Sequence, residues 1–296
     1  MAFLYYKYNA GATSGDINSD IALFCTGATD INAFSASCDK NASYIIADTP
    51  AGWTLYDNVD QNKRVIAAPD VAGVMKYVLL DTGVAGYFQT TVCGSWDVVN
   101  NVGGNKVTNS YSLTYAADIN TASGGELWIS ANAQLLAMQG RVSTTWSANG
   151  PIYVMERQRI NAWDTAARGY PTTLFAKQSK LCAASYPLCW SPRMMQSNQS
   201  SAEGQYVPYT ACAPWNNATV LQALDANLAG KHAMLPFFVF ASNADHNHLG
   251  GKILGDIYQT TSGYGNSGDE VVLNGKTYVV FRDGNTGNSR VAVPKY

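Results

Sequence analysis

Between Tyr44 and Cys93 one local pattern recurs. "YIIAD", "GWTLYD", "RVIAAP", "KYVLLD" and "GYFQTTV" follow one another at intervals of about ten residues, each rich in β-branched and aromatic side chains and each closed off by Pro, Gly, Asn or Asp. Such a series reads as an antiparallel meander. "NSYSLTYAADI", "GELWISANAQLLAMQGR" and "PIYVMERQRI" carry the same character to about residue 160. Farther on, "MLPFFVFAS" reads as one buried strand and "RVAVPKY" as a last one. The sharpest local signal is "GDEVVLNGKTYVVFRDGN", two alternating runs joined by Asn274-Gly275, the pair that suits a type I′ hairpin.

Ahead of the meander, "TSGDINSDIALFCTG" has helical spacing. Asp16 is placed to cap it, Ile17, Ile21 and Phe24 share one face, and Gly27 stops it. A second short helix, "DINAFSASCD", is expected from Asp30, giving a small helical hairpin. The expected class is therefore mainly β (α+β): an N-terminal helical hairpin, an antiparallel β-meander or sandwich, and a C-terminal β-hairpin module. Three segments follow from composition: 1–175 with the helices and the main β unit, 176–216 as an irregular excursion rich in Pro, Cys and Ser, and 217–296 as the C-terminal β module. Long irregular segments are more often functional or interface-forming than idle.

Charge narrows the function. Charged residues make up 14% of the chain and the net charge is −2, against roughly 25% charged residues in an average soluble domain. The surface must then be built largely from Asn, Ser, Thr, Gly, Gln and Tyr, as in extracellular β proteins and in subunits packed against other subunits. The 19 basic residues are scattered, so the clustered Lys and Arg that neutralise phosphates are missing and direct nucleic-acid binding is not expected. No apolar run approaches the roughly 18 residues of a membrane span, and the first residues do not read as a signal peptide. The expectation is a chain made in the cytosol.

Chemistry is thin. There is no Gly-x-Ser-x-Gly elbow, His-Glu-x-x-His, P-loop or Gly-x-Gly-x-x-Gly between a strand and a helix. Acids such as Asp57, Asp70, Asp81 and Asp283 stand in turn contexts, where Asp closes turns. The chain is expected to be no enzyme, with no catalytic residues and no cofactor. Two of its three histidines lie in "ASNADHNHLGGK", where Asp245, His246 and His248 are weak candidates for metal ligands; His232 is not counted among them. A metal site needs three or four ligands. The flanking residues look like a turn, and a solvated loop is the plainer account.

The six cysteines, Cys25, Cys38, Cys93, Cys182, Cys189 and Cys212, include no Cys-x-x-Cys. Cys182 and Cys189, in "LCAASYPLCW", are close enough to pair in an oxidising environment; the alternative is small buried thiols. The sequons at Asn41, Asn198 and Asn217 are expected by chance in a chain this rich in Asn, Ser and Thr. Among the seven tryptophans, Trp53 and Trp128 sit inside strand-like runs, where they fill a core or a subunit contact.

Three segments carry a resemblance. "SDIALFCTGATDINAFSASCDKNASYIIADTPAGWTLYD" runs on through "RVIAAPDVAGVMKYVLL", and later comes "LGGKILGDIYQTTSGYGNSGDEVVLNGKTYVVF". Together they resemble virion structural proteins of tailed bacteriophages, of the tail, baseplate or neck, over about half the chain. The resemblance implies a virion subunit that partners copies of itself and other virion proteins, with no catalytic residues to carry over and no receptor specified. The competing expectation is a secreted carbohydrate-binding or glycoside-cleaving β protein that stacks sugars on Trp and Tyr.

Overall fold

The computed structural model describes residues 1–83, 86–104, 115–142, 145–146, 151–158, 173–177, 205–207, 234–236, 238–242, 247–260, 267–282 and 290–295. Its first element is a strand, β1 (Ala2–Tyr8), in which Leu4, Tyr6 and Tyr8 enter the core while Phe3 and Tyr5 face the other way. This is the alternation a pleated strand imposes. Helix α1 (Ser14–Cys25) follows. Its cap is Thr13, whose hydroxyl accepts the Asp16 N–H at 3.1 Å, so Asp16 is a first-turn acid instead of the expected cap. A carboxylate there faces the positive end of the helix dipole. Ile17, Ile21 and Phe24 are buried as expected, and Gly27, at φ +114°, turns the chain away.

The expected second helix is absent. Ile31–Ala33 make only a single 3₁₀ turn. The Asp30 carboxylate takes the Asn32 N–H at 2.9 Å, the Ser35 N–H goes to Asp20 of α1 at 2.8 Å, and Cys38 bridges to Tyr8. These side-chain and cross-chain bonds satisfy the backbone in place of a helical ladder.

The next strands are β2 (Tyr44–Ala47), β3 (Thr54–Asp60), β4 (Lys63–Pro69), β5 (Met75–Asp81), β6 (Tyr87–Cys93), β7 (Ser95–Asp97), β8 (Val102–Gly104) and β9 (Tyr115–Asp118). The meander is there, in the antiparallel order β3-β4-β5-β6-β9. "YIIAD" is the exception, because β2 leaves the meander and pairs with β1. "GELWISANAQLLAMQGR" folds into two strands, β10 (Gly125–Asn132) and β11 (Leu135–Val142), paired as a hairpin.

The remaining strands are β12 (Thr145–Trp146), β13 (Ile152–Gln158), β14 (Thr173–Lys177), β15 (Gln205–Val207), β16 (Met234–Pro236), β17 (Phe238–Ser242), β18 (Asn247–Ile253), β19 (Tyr258–Thr260), β20 (Glu270–Leu273), β21 (Lys276–Arg282) and β22 (Arg290–Pro294). The largest sheet has the order β15-β17-β18-β13-β11-β10-β1-β2, with β12 beside β11 and β14 beside β13. A C-terminal sheet has the order β16-β19-β22-β21-β20. The fold is thus mainly β and antiparallel, with one α-helix among the described residues.

"MLPFFVFAS" is not one strand. β16 belongs to the C-terminal sheet and β17 to the large one, so the segment serves two layers. Part of "ASNADHNHLGGK" is likewise strand, since β18 pairs with β17 through a register shift at Val239/Phe240 and with the end of β13. Gly251 is needed there: a Cβ on it would collide with the Gln158 carbonyl oxygen. The Asn274-Gly275 turn is as expected, with both residues at positive φ (52° and 79°). Of 176–216, only the end of β14 and the strand β15, which pairs with β17, lie within the described residues.

Three layers result. One face of the large sheet (Leu4, Tyr6, Leu127, Ile129, Met138, Val154) packs on the inner face of the meander (Ile66, Val78, Leu80, Phe88) and on α1. Each aliphatic side chain removed from water there contributes about 1.5–3 kcal/mol. The opposite face meets the C-terminal sheet: Ser130 Oγ donates to the Pro294 carbonyl at 2.7 Å, Gln139 Nε2 donates to Ser267 Oγ at 3.1 Å, and the Tyr153 and Phe281 rings lie 6.4 Å apart.

Candidate interaction surface

The interior holds polar groups, and they are committed to structure. Lys76 and Glu156 pair between the large sheet and the meander. Asp20, buried on α1, accepts from the Tyr6 hydroxyl at 2.8 Å and from the Ser35 hydroxyl at 2.7 Å. Burial and that carboxylate hold the Tyr6 phenol well above its usual range. Asn18 donates to the carbonyls of Asn62 and Leu80 and accepts from Arg64. These bonds knit α1 to the turns of the meander.

The surface is more informative. The outer face of the meander carries a small second core of Val65, Cys93 and Trp96, flanked by Val59, Tyr77 and Leu79. Trp96 comes from the β7–β8 hairpin, which lies across that face, and its indole N–H donates to Asp57 at 2.6 Å. Asp57 is therefore a strand residue holding an aromatic anchor, a correction to its expected place in a turn. Beyond the anchor, Asp97 Oδ1 accepts the Val99 and Asn100 N–H groups at 2.9 and 3.1 Å, and Oδ2 takes the Asn100 side chain at 2.7 Å. This capped turn presents Val98, Val99 and Val102 to solvent, with Val99 84% exposed. Leu55, Tyr56, Val71, Val74 and Met75 are also exposed on the meander. Apolar residues fixed on a rigid, exposed turn are unusual unless something covers them.

A second feature lies on one flank of the large sheet. Tyr44, Tyr5, Trp128 and Gln139 stand in cross-strand register on β2, β1, β10 and β11. The Tyr5 ring is 5.3 Å from Tyr44 and 5.2 Å from Trp128, and the Arg141 guanidinium lies 5.3 Å from the Trp128 ring centre. One step along, Lys7, Glu126 and Arg141 form a charged row in which Arg141 and Glu126 pair. At the Tyr44 end, Lys295 lies over the Tyr44 ring at 5.2 Å and pairs with Glu270 of β20. Among the described tryptophan side chains, Trp53, Trp96 and Trp128 are all buried.

The other expected site residues fall as follows. Asp245, His246 and His232 lie outside the described residues, as do Cys182 and Cys189. His248 lies on β18, opposite Ala241. Among the described residues, no group of three or more His, Cys, Asp or Glu is arranged to hold a metal. Asp70 and Asp81 do close turns, accepting the N–H groups of Ala72 and Val74, and of Gly83. Asp283 is outside the described residues. Cys25 and Cys38 are free, buried thiols, and Cys93 is buried. Among the described residues, no helix is long and apolar enough to cross a membrane. The valines of the β7–β8 turn went unnoticed in the sequence, although "DVVNNV" carries the signal: an Asp-led turn with valine where turns are usually polar.

No protein-family model matches the chain, and no curated protein matches it.

Proposed function

We propose that the chain is a structural subunit of a tailed-bacteriophage virion, at the tail, baseplate or neck, acting through symmetric contacts with copies of itself and with neighbouring virion proteins. The observation that carries this reading is the β7–β8 turn. A tryptophan anchors it, an aspartate rigidifies it, and it displays three valines to solvent. A preformed apolar knob loses little entropy on docking, and several such contacts sum to a durable assembly. The low charge content points the same way. The resemblance of the "GWTLYD…KYVLL" and "LGGKILGDIY…TYVVF" phrases supplies the virion context.

A sugar-stacking role needs exposed aromatic faces. Tyr44, Tyr56 and Tyr87 are partly exposed, but Lys295 lies over Tyr44 and the described tryptophans Trp53, Trp96 and Trp128 are buried, which favours the assembly reading. Mass spectrometry of gradient-purified particles tests it: the chain is expected at a fixed copy number per particle. Its absence from particles, together with a stable monomer that binds glycans saturably, would overturn the proposal.

A further inference from the structure

The exposed apolar side chains gather at one end of the meander. Eight of the twelve large ones exposed among the described residues belong to that end or to the hairpin rooted there. Val71, Val74 and Met75 come from the β4–β5 turn, where Met75 stands opposite Pro69. Leu55 and Tyr56 come from the adjoining half of β3, since Thr54 stands opposite Ala67, and the Tyr56 ring lies 4.8 Å from that of Tyr77. β6 ends at the same place, with Cys93 opposite Tyr77. One residue later β7 opens the hairpin that displays Val98, Val99 and Val102. The other end of the meander carries Asp60, Lys63 and Asp81 in register instead.

The two turns are built alike. "DVAGVM" and "DVVNNV" each open on Asp-Val. Asp70 Oδ1 accepts the Ala72 and Val74 N–H groups, both at 2.8 Å, as Asp97 Oδ1 accepts those of Val99 and Asn100. In each case a carboxylate holds the turn and leaves its valines outside. The result is an apolar bed on the β4–β5 turn and an apolar knob on the β7–β8 turn. From their fractional exposures, the eight residues leave roughly 700 Å² open to solvent, above the largest patch usual on a monomer and close to the share of one partner in a standard interface, about 800 Å².

We infer that this end of the meander is the contact with a second copy of the chain, each copy's knob seated on the other's bed about a two-fold axis. The segments that build the patch, 54–59, 69–75 and 95–104, contain no Lys, Arg or His. Polyanions and acidic lipid surfaces are gripped by cations, so the patch is not shaped for them. A surface in two unlike halves, both apolar, is complementary to itself: a two-fold makes the knob-on-bed contact twice and closes the assembly at two, the isologous arrangement commonest among oligomers. The Asp70 and Asp97 carboxylates are bonded within their own turns, so closure leaves neither without hydrogen bonds. The inference rests on the reading of the chain as a self-associating subunit, but not on the virion as its location.

Sedimentation of the full chain over a concentration series tests it, and a dimer is expected. Val99→Lys on the knob and Val74→Asp on the bed are each expected to raise the dissociation constant by at least about tenfold. Placed together in one chain they should regain part of that loss, because each new lysine then meets the partner's new aspartate. The two positions are 84% and 61% exposed, so the fold is left intact, which circular dichroism checks. A monomer at every concentration would overturn the inference, whether or not it binds phosphatidylcholine vesicles. So would a dimer indifferent to either substitution, or a double variant that regains nothing. A dimer that passes these tests but is absent from phage particles would sink the virion reading and leave this one standing.

Discussion

Lys76 of β5 and Glu156 of β13 pair at 2.8 Å between two sheets, with side-chain exposures of 4% and 0%. The ammonium also donates to the Ala133 carbonyl at 2.6 Å and the Pro69 carbonyl at 3.2 Å, and it lies 5.1 Å from the Trp53 ring centre. The Trp53 indole in turn donates to the Asn132 carbonyl at 2.9 Å. One cation thus fixes the meander against the β10–β11 turn and against β13. Removing one partner of a buried pair leaves an uncompensated charge, whereas removing both is often neutral. Glu156→Gln is therefore expected to cost about 3–5 kcal/mol, read by urea denaturation. The double variant Lys76→Met/Glu156→Leu should recover most of that loss.

Val99, exposed on its aspartate-capped turn, is placed for contact and contributes nothing to the core. Val99→Asp is expected to leave stability within about 0.5 kcal/mol of the parent and to lower incorporation into particles. Normal incorporation in a quantitative peptide assay would remove this valine from the interface.

Burial pushes the Cys25 thiol up to about 12. Its folded value is above its unfolded one, so the folded state holds the proton more tightly. The stability it contributes is complete below the unfolded value and is lost as pH rises toward about 12. Unfolding free energy is expected to fall with pH through the alkaline range, and Cys25→Ala to flatten that slope. At neutral pH Cys25 should resist alkylation until the chain unfolds.

Gly275 holds φ at 79° in the β20–β21 turn, and nothing crowds the place where its Cβ would be. Gly275→Val therefore meets backbone strain alone, with an expected cost of about 1–2 kcal/mol in thermal denaturation. If the effect is negligible, the turn does not keep this conformation in solution.

What could be read from the sequence was whatever is decided locally. The Asn274-Gly275 hairpin and the β3–β6 meander depend on neighbours within a few residues, and both are found. The run 30–39 departs from the helix its periodicity predicts because its backbone bonds go to Asp20 and Tyr8, which periodicity does not reveal. β1 was overlooked for the same reason: "AFLYYKY" becomes a strand through β10 and β2, both far along the chain. The site features divide in the same way. Trp128 in a strand was legible, but its place in a row with Tyr5 and Tyr44 depends on the register of three strands.

The layering also has a cost in time. Tyr8 accepts the N–H of Asn120, 112 positions away, and Ser130 donates to Pro294, 164 positions away. Neither β1 nor the β10–β11 hairpin can be covered on both faces until distant strands arrive. Chains dominated by such remote pairings fold slowly. While the large sheet waits, its apolar faces are open to aggregation, so yield on rapid overexpression is decided by this race rather than by the stability of the finished protein.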